Sequence, residues 1–227
     1  MEKTTVFNLI IIDESGSMSD VVNQTVSGCN ETLNVIRTLQ KEHGDSQRNL
    51  VSIYVFQSGS VPSRYLVKNK PIDDVRDITT RDYKPCGCTP LLDAVGSTLV
   101  DLRAVASTHE DSTATVTIIT DGYENSSTDY TWAKVHRLIS QLKELGWTFN
   151  FIGANIDVEK VSAKLNIDNS MAFHADQEGT AEMWENYNAC MKSYEETRIK
   201  MELASPCMCM EDRVKMRKKN AKNFFKK

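Results

Sequence analysis

The chain has 227 residues, 40% hydrophobic and 26% charged, which is ordinary for a water-soluble domain and long enough to bury roughly 70–75% of its unfolded surface without disulfides or a metal. Its longest unbroken apolar run, Leu9-Ile10-Ile11-Ile12, is too short to cross a bilayer. The first residues carry neither the apolar stretch nor the cleavage site of a secretion leader, so a cytoplasmic protein is expected. Charge is uneven. Residues 211–227 hold eight basic and two acidic residues, a net +6, which leaves residues 1–210 at −10. An acidic body argues against a broad phosphate-binding surface; only the basic tail has the charge for a nucleic acid.

In chain order, residues 6–12 are apolar except for Asn8 and do not alternate, as in a strand covered on both faces. Val22, Val26, Cys29, Leu33, Ile36 and Leu39 then recur at helical spacing up to Gly44, a stop signal. A second strand is expected over 50–56 and a short edge strand over 65–67, between Pro62 and Pro71. Leu91, Leu92, Val95, Leu99, Leu102 and Ala106 mark the next helix, with Thr89 at its N-cap and Pro90 in its first turn. A third core strand follows over 113–120, then a helix from Trp132 that stops at Gly146, and a strand over 147–152. A short helix (158–165), a short strand (171–173) and a long helix (180–203) complete the order, with Pro206 ending the last. Strands alternating with helices predict an α/β domain with a doubly wound, mostly parallel central sheet flanked by helices. The domain is expected over 1–205, with a basic tail over 206–227.

In such sheets ligands bind at the carboxyl ends of the strands. Two acids fall there: Asp13, in Asp13-Glu14-Ser15-Gly16-Ser17, and Asp121, in Asp121-Gly122-Tyr123-Glu124-Asn125. Positions 13, 15 and 17 offer three oxygens, with Gly16 expected to let the loop turn back. Glu14 is expected to face solvent. Carboxylates and hydroxyls suit a hard divalent cation; magnesium keeps several waters, so few protein ligands suffice. Asp93, in the first turn of its helix, is read as structural, with support of the metal site as the alternative.

These segments resemble the metal-ion-dependent adhesion site of the von Willebrand factor type A family. Asp13-x-Ser15-x-Ser17 after an apolar strand is similar to the family's first motif. Cys88-Thr89-Pro90-Leu91-Leu92-Asp93-Ala94 is similar to the segment that supplies its threonine, and Ile118-Ile119-Thr120-Asp121-Gly122 to the strand that supplies its second aspartate. The resemblance spans roughly residues 4–175. It implies a Rossmann-like fold and a magnesium (or manganese) site of Asp13, Ser15, Ser17, Thr89 and Asp121. Ser15 and Ser17 would be ligands, Thr89 a direct or water-mediated one, and the aspartates would hold coordinated waters, with direct ligation by one of them as the alternative. The remaining coordination position would take a carboxylate from a protein partner. Cys88 stands where many bacterial members have glycine, a departure that bears on loop conformation and redox sensitivity. The resemblance also implies a candidate switch in the last helix, for which packing fixed through Trp184, Tyr187 and Met191 is the favoured reading.

No histidine accompanies a motif, and no nucleophile–base pair or phosphate loop is present, so an interaction module rather than an enzyme is expected. A metal-dependent phosphohydrolase and a metal-free scaffold are the alternatives. Reduced thiols are expected for the six cysteines, although the pairs Cys86/Cys88 and Cys207/Cys209 carry enough sulfur for a zinc site. The basic tail, an extension of the last helix or a disordered segment, has Phe224 and Phe225 as apolar anchors; a nucleic acid, an acidic partner or the protein's own acidic face are its candidate targets, and a solvated tail with no dedicated partner is the alternative.

Overall fold

The computed structural model describes residues 3–205 and 207–226. Pro206, expected to end the last long helix, lies outside the described residues. Six strands form one sheet in the order β3-β2-β1-β4-β5-β6. β1 (Thr4–Asp13), β2 (Gln47–Phe56), β4 (Ser112–Thr120), β5 (Thr148–Gly153) and β6 (Asn169–Ala172) run parallel, while β3 (Arg64–Pro71) is an antiparallel edge. This is the doubly wound, mostly parallel sheet the sequence predicts. All ten residues of β1 are buried, because both its faces are covered and both its edges are paired. That is why its apolar run does not alternate.

Alternate β1 residues supply two cores. Phe7, Leu9 and Ile11 join a cluster with α2 (Leu91–Ala106), α3 (Trp132–Glu144) and α4 (Val158–Leu165). Ile10 and Ile12 join α1 (Val22–His43) and α5 (Gln177–Leu203) on the opposite face. Gly146, at φ +82°, lies just past the end of α3, where a left-handed residue ends a helix at no steric cost. The edge strand is longer than its apolar core implied, and β6 begins two residues earlier than expected. α5 starts at Gln177, where the Asp176 carboxylate accepts from Gly179 N at 2.7 Å.

Thr89 departs from its expected role. α2 begins at Leu91 with Pro90 as its cap residue, and no side chain caps it there. The Thr89 hydroxyl is therefore not used on the helix.

The basic segment folds as α6 (Met210–Asn220) and packs on the body. Arg217 is fully buried and pairs with Asp111 and Glu202, each at 2.8 Å, while Arg213 also pairs with Asp111. Phe224, 1% exposed, stacks on Tyr187 and leans on Tyr194 of α5. The segment's target in this structure is the protein's own acidic face. No helix among the described residues is long and apolar enough to cross a membrane.

Candidate metal centre

β1 and β4 are neighbours, yet the chain leaves β1 for β2 on one side and returns as β4 on the other. Connections that diverge in this way open a crevice at the strands' carboxyl ends. Asp13 ends β1 and Asp121 directly follows β4, so both carboxylates enter that crevice.

Hydrogen bonds order the donors. Asp13 Oδ1 accepts from Ser15 N at 2.7 Å, and Asp13 Oδ2 accepts from the Thr120 hydroxyl at 2.5 Å. Ser15 Oγ lies 3.1 Å from Ser17 Oγ, which donates to Asp121 Oδ1 at 2.6 Å. Asp13, Ser15, Ser17 and Asp121 thus form one connected group. Thr89 stands beside it, since a side-chain carbon placed on Gly122 would sit 3.5 Å from Thr89 Oγ1. The Thr89 hydroxyl makes no hydrogen bond among the described residues.

Burial lifts the Asp13 carboxyl to about 6, against hydrogen bonds from Thr120 and Ser15, and the charge of Asp121 adds to the rise. Burial also raises Asp121. Two partly desolvated carboxylates beside three hydroxyls make a donor set that a small divalent cation satisfies: it offsets their repulsion and needs only oxygen. Among the described residues no group of three or more His, Cys, Asp or Glu side chains is placed to hold a metal. A cation in the crevice therefore depends on the hydroxyls, and the residues present fit that demand.

The three loops are stitched together through their backbones. Gly16 N donates to Gly87 O at 3.1 Å, Cys86 N to Glu14 O at 2.9 Å, and Asn125 N to Thr89 O at 3.2 Å. Gly87, at φ +70°, is the glycine the loop requires: a side chain would lie 2.7 Å from Gly59 Cα and 2.8 Å from Ser58 C. Gly16 has no such need, since its nearest neighbour to an added carbon is Gly87 O at 3.5 Å.

Glu14 overturns its solvent assignment. It is fully buried, with Arg64 at 2.7 and 3.0 Å, Gln57 Nε2 at 2.7 Å and Lys84 N at 2.6 Å. One residue past the end of β1, its N–H donates to Phe56 O at 2.8 Å, and a charge buried there must be paired. Asp93 is structural as read: its carboxylate accepts from the backbone N–H groups of Thr128, Asp129 and Tyr130 at 2.7–3.0 Å.

Sequence reasoning missed Thr120, which holds Asp13, and Tyr83, whose hydroxyl donates to Asp13 O at 2.5 Å. Thr120 was signalled only by preceding Asp121. Tyr83 sits in a loop 70 residues from its acceptor, and nothing local marks it.

No protein-family model matches the sequence, and no curated protein does either. Solved structures share its fold. The SpRpn10 VWA domain superposes with a TM-score of 0.52 at 11% identity, over 79% of this chain and 93% of that one. The PilB minor pilin from Streptococcus sanguinis gives 0.53 at 10% identity, over 84% of this chain and 62% of the pilin, so the chain spans about three fifths of the pilin's length. The manganese-loaded Plasmodium vivax TRAP protein gives 0.50 at 15% identity, over 80% and 71%. The chain has the Rossmann-like fold of von Willebrand factor type A domains.

Proposed function

We propose that this protein is a divalent-metal-dependent interaction module that docks an acidic residue of a partner protein onto a magnesium or manganese ion. The observation that carries the reading is the convergence of Asp13, Ser15, Ser17 and Asp121 in one hydrogen-bonded group, with the free Thr89 hydroxyl beside it. Ser15 and Ser17 are the hydroxyl ligands, Thr89 a direct or water-mediated ligand, and Asp13 and Asp121 hold the coordinated waters. The bound ion supplies positive charge and an open position for an incoming carboxylate, an attraction that few charged ligands leave largely uncancelled. That a neighbour in fold is manganese-loaded supports the choice of metal.

The role is binding rather than turnover. Among the described residues no histidine hydrogen-bonds to the crevice group: His109 bonds Thr5, and His136 bonds Lys164 O. The setting is intracellular, within a multiprotein assembly. Four exposed, unbridged thiols (Cys86, Cys88, Cys207, Cys209) suit a reducing compartment.

Calorimetric titration of chelator-treated protein with Mg2+ and Mn2+, beside an Asp121→Ala control, tests the reading. One saturable site that the control lacks, strengthened by added acetate, is the expected result. A folded protein that binds neither ion, with or without acetate, overturns it. Metal-dependent phosphomonoester hydrolysis abolished in Asp121→Ala would replace it with an enzyme.

A further inference from the structure

Four of the five metal-site residues have side chains tied down by the protein: Asp13 by Ser15 and Thr120, and Ser15, Ser17 and Asp121 by one another. Thr89 does not. With no hydrogen bond to its hydroxyl among the described residues, the reach of that oxygen is set by where the Thr89 backbone is held and by the side-chain rotamer. That backbone is clasped on both sides by one residue. Thr89 N donates to Asn125 Oδ1 at 2.8 Å, and Asn125 N donates to Thr89 O at 3.2 Å.

Glu124 braces the clasp. Its Oε1 accepts from Ser126 N and Ser127 N at 2.9 and 2.7 Å; its Oε2 accepts from Ser127 Oγ at 2.7 Å and Leu92 N at 2.8 Å. Leu92 N belongs to the first turn of α2, where backbone N–H groups lack helical partners and a negative charge is favoured. Asn125 follows Asp121 by four residues, so one short loop carries both a candidate acidic residue and the group that holds the candidate threonine.

Resting on the metal reading above, we infer that Asn125, braced by Glu124, is a positioning residue for the metal centre: it locks Thr89 to the loop of Asp121 and so sets the distance across which an ion is shared. Groups that orient metal ligands typically change affinity by about 10–100-fold when removed. Asn125 is exposed, so its substitution leaves the core intact.

The test is Mn2+ binding, followed by electron paramagnetic resonance, for the unsubstituted protein, Asn125→Ala, Asn125→Asp and Glu124→Ala, with amide exchange at Thr89 measured without metal. Asn125→Ala and Glu124→Ala are expected to weaken Mn2+ binding about tenfold or more and to speed Thr89 exchange. Asn125→Asp keeps an acceptor oxygen for Thr89 N and is expected to restore both. If the unsubstituted protein binds Mn2+ and Asn125→Ala binds it equally well, the positioning role is overturned while the metal reading stands. If Asn125→Asp restores thermal stability but not Mn2+ affinity, the residue is structural only and the inference fails. If the unsubstituted protein binds no Mn2+, both fall.

Discussion

Gly16 and Gly87 face each other across one hydrogen bond, yet only Gly87 combines positive φ with backbone contact on its open side. Gly87→Ala should therefore destabilise the protein by about 1–3 kcal/mol, whereas Gly16→Ala should change it by less than about 1 kcal/mol. Urea unfolding of the two variants checks the contrast, and equal effects would refute it. Asp13 makes a second prediction at this scale. Its folded value of about 6 lies above the ordinary 3.8, so the folded state holds the proton more tightly than the unfolded chain. Stability contributed by that proton is full below pH 4 and is lost as pH rises through about 6, up to about 3 kcal/mol in all. Metal-free protein should show this decline, and Asp13→Asn should flatten it. A metal competes with the same proton, so stabilisation by Mn2+ should grow over the same interval.

At the scale of elements, α6 is held by charge, and the residues just after it by the rings of Phe224 and Phe225. Burial alone would raise Asp111, but the hydrogen bond and charge of Arg217, with Thr4 and Arg213, hold it below the usual carboxylate range. Glu202 is likewise lowered against its burial by Arg198 and Arg217. Lowered carboxylates contribute stability above their ordinary values and lose it as pH falls through the folded ones. The docking of α6 should therefore weaken below about pH 4, seen as faster amide exchange over residues 210–220. Arg217→Met strands part of one buried acid, Asp111, and one largely buried acid, Glu202, and should destabilise the protein by about 3 kcal/mol. Phe224→Ala empties a site between Tyr187 and Tyr194 and should have a similar effect, about 3–5 kcal/mol. Denaturant midpoints near that of the unsubstituted protein would show instead that α6 is a dispensable appendage.

At the scale of the whole molecule, the strand order places the divergence of the chain between β1 and β4, and that divergence makes the crevice. Binding a cation only in the folded state stabilises it by mass action, about 2.7 kcal/mol at a hundredfold excess over the dissociation constant. For a chain of this size that corresponds to a rise in Tm of roughly 5–10 °C. Thermal unfolding with Mg2+ should show this rise in the unsubstituted protein and none in Asp121→Ala. A rise of equal size in both would place the ion elsewhere.

The sequence by itself determined the element order as far as α5, the parallel sheet and the landing of Asp13 and Asp121 at strand ends, but not the helix α6 in the basic segment. Those features follow from local periodicity and from stop signals such as Gly44 and Gly146, which act within a few residues. The resemblance to the von Willebrand factor type A motifs also named Ser15, Ser17 and Thr89, and the structure brings them beside the two acids. Only the tertiary structure decided what holds them. Thr120 on Asp13, Tyr83 beneath it, the burial of Glu14 against Arg64, the clasp of Asn125 on Thr89 and the return of the basic segment onto Asp111 join residues 36 to 107 positions apart. A pairing at such range leaves no period in the chain. It exists because buried charges and backbone groups must find partners wherever the packed layers bring them together.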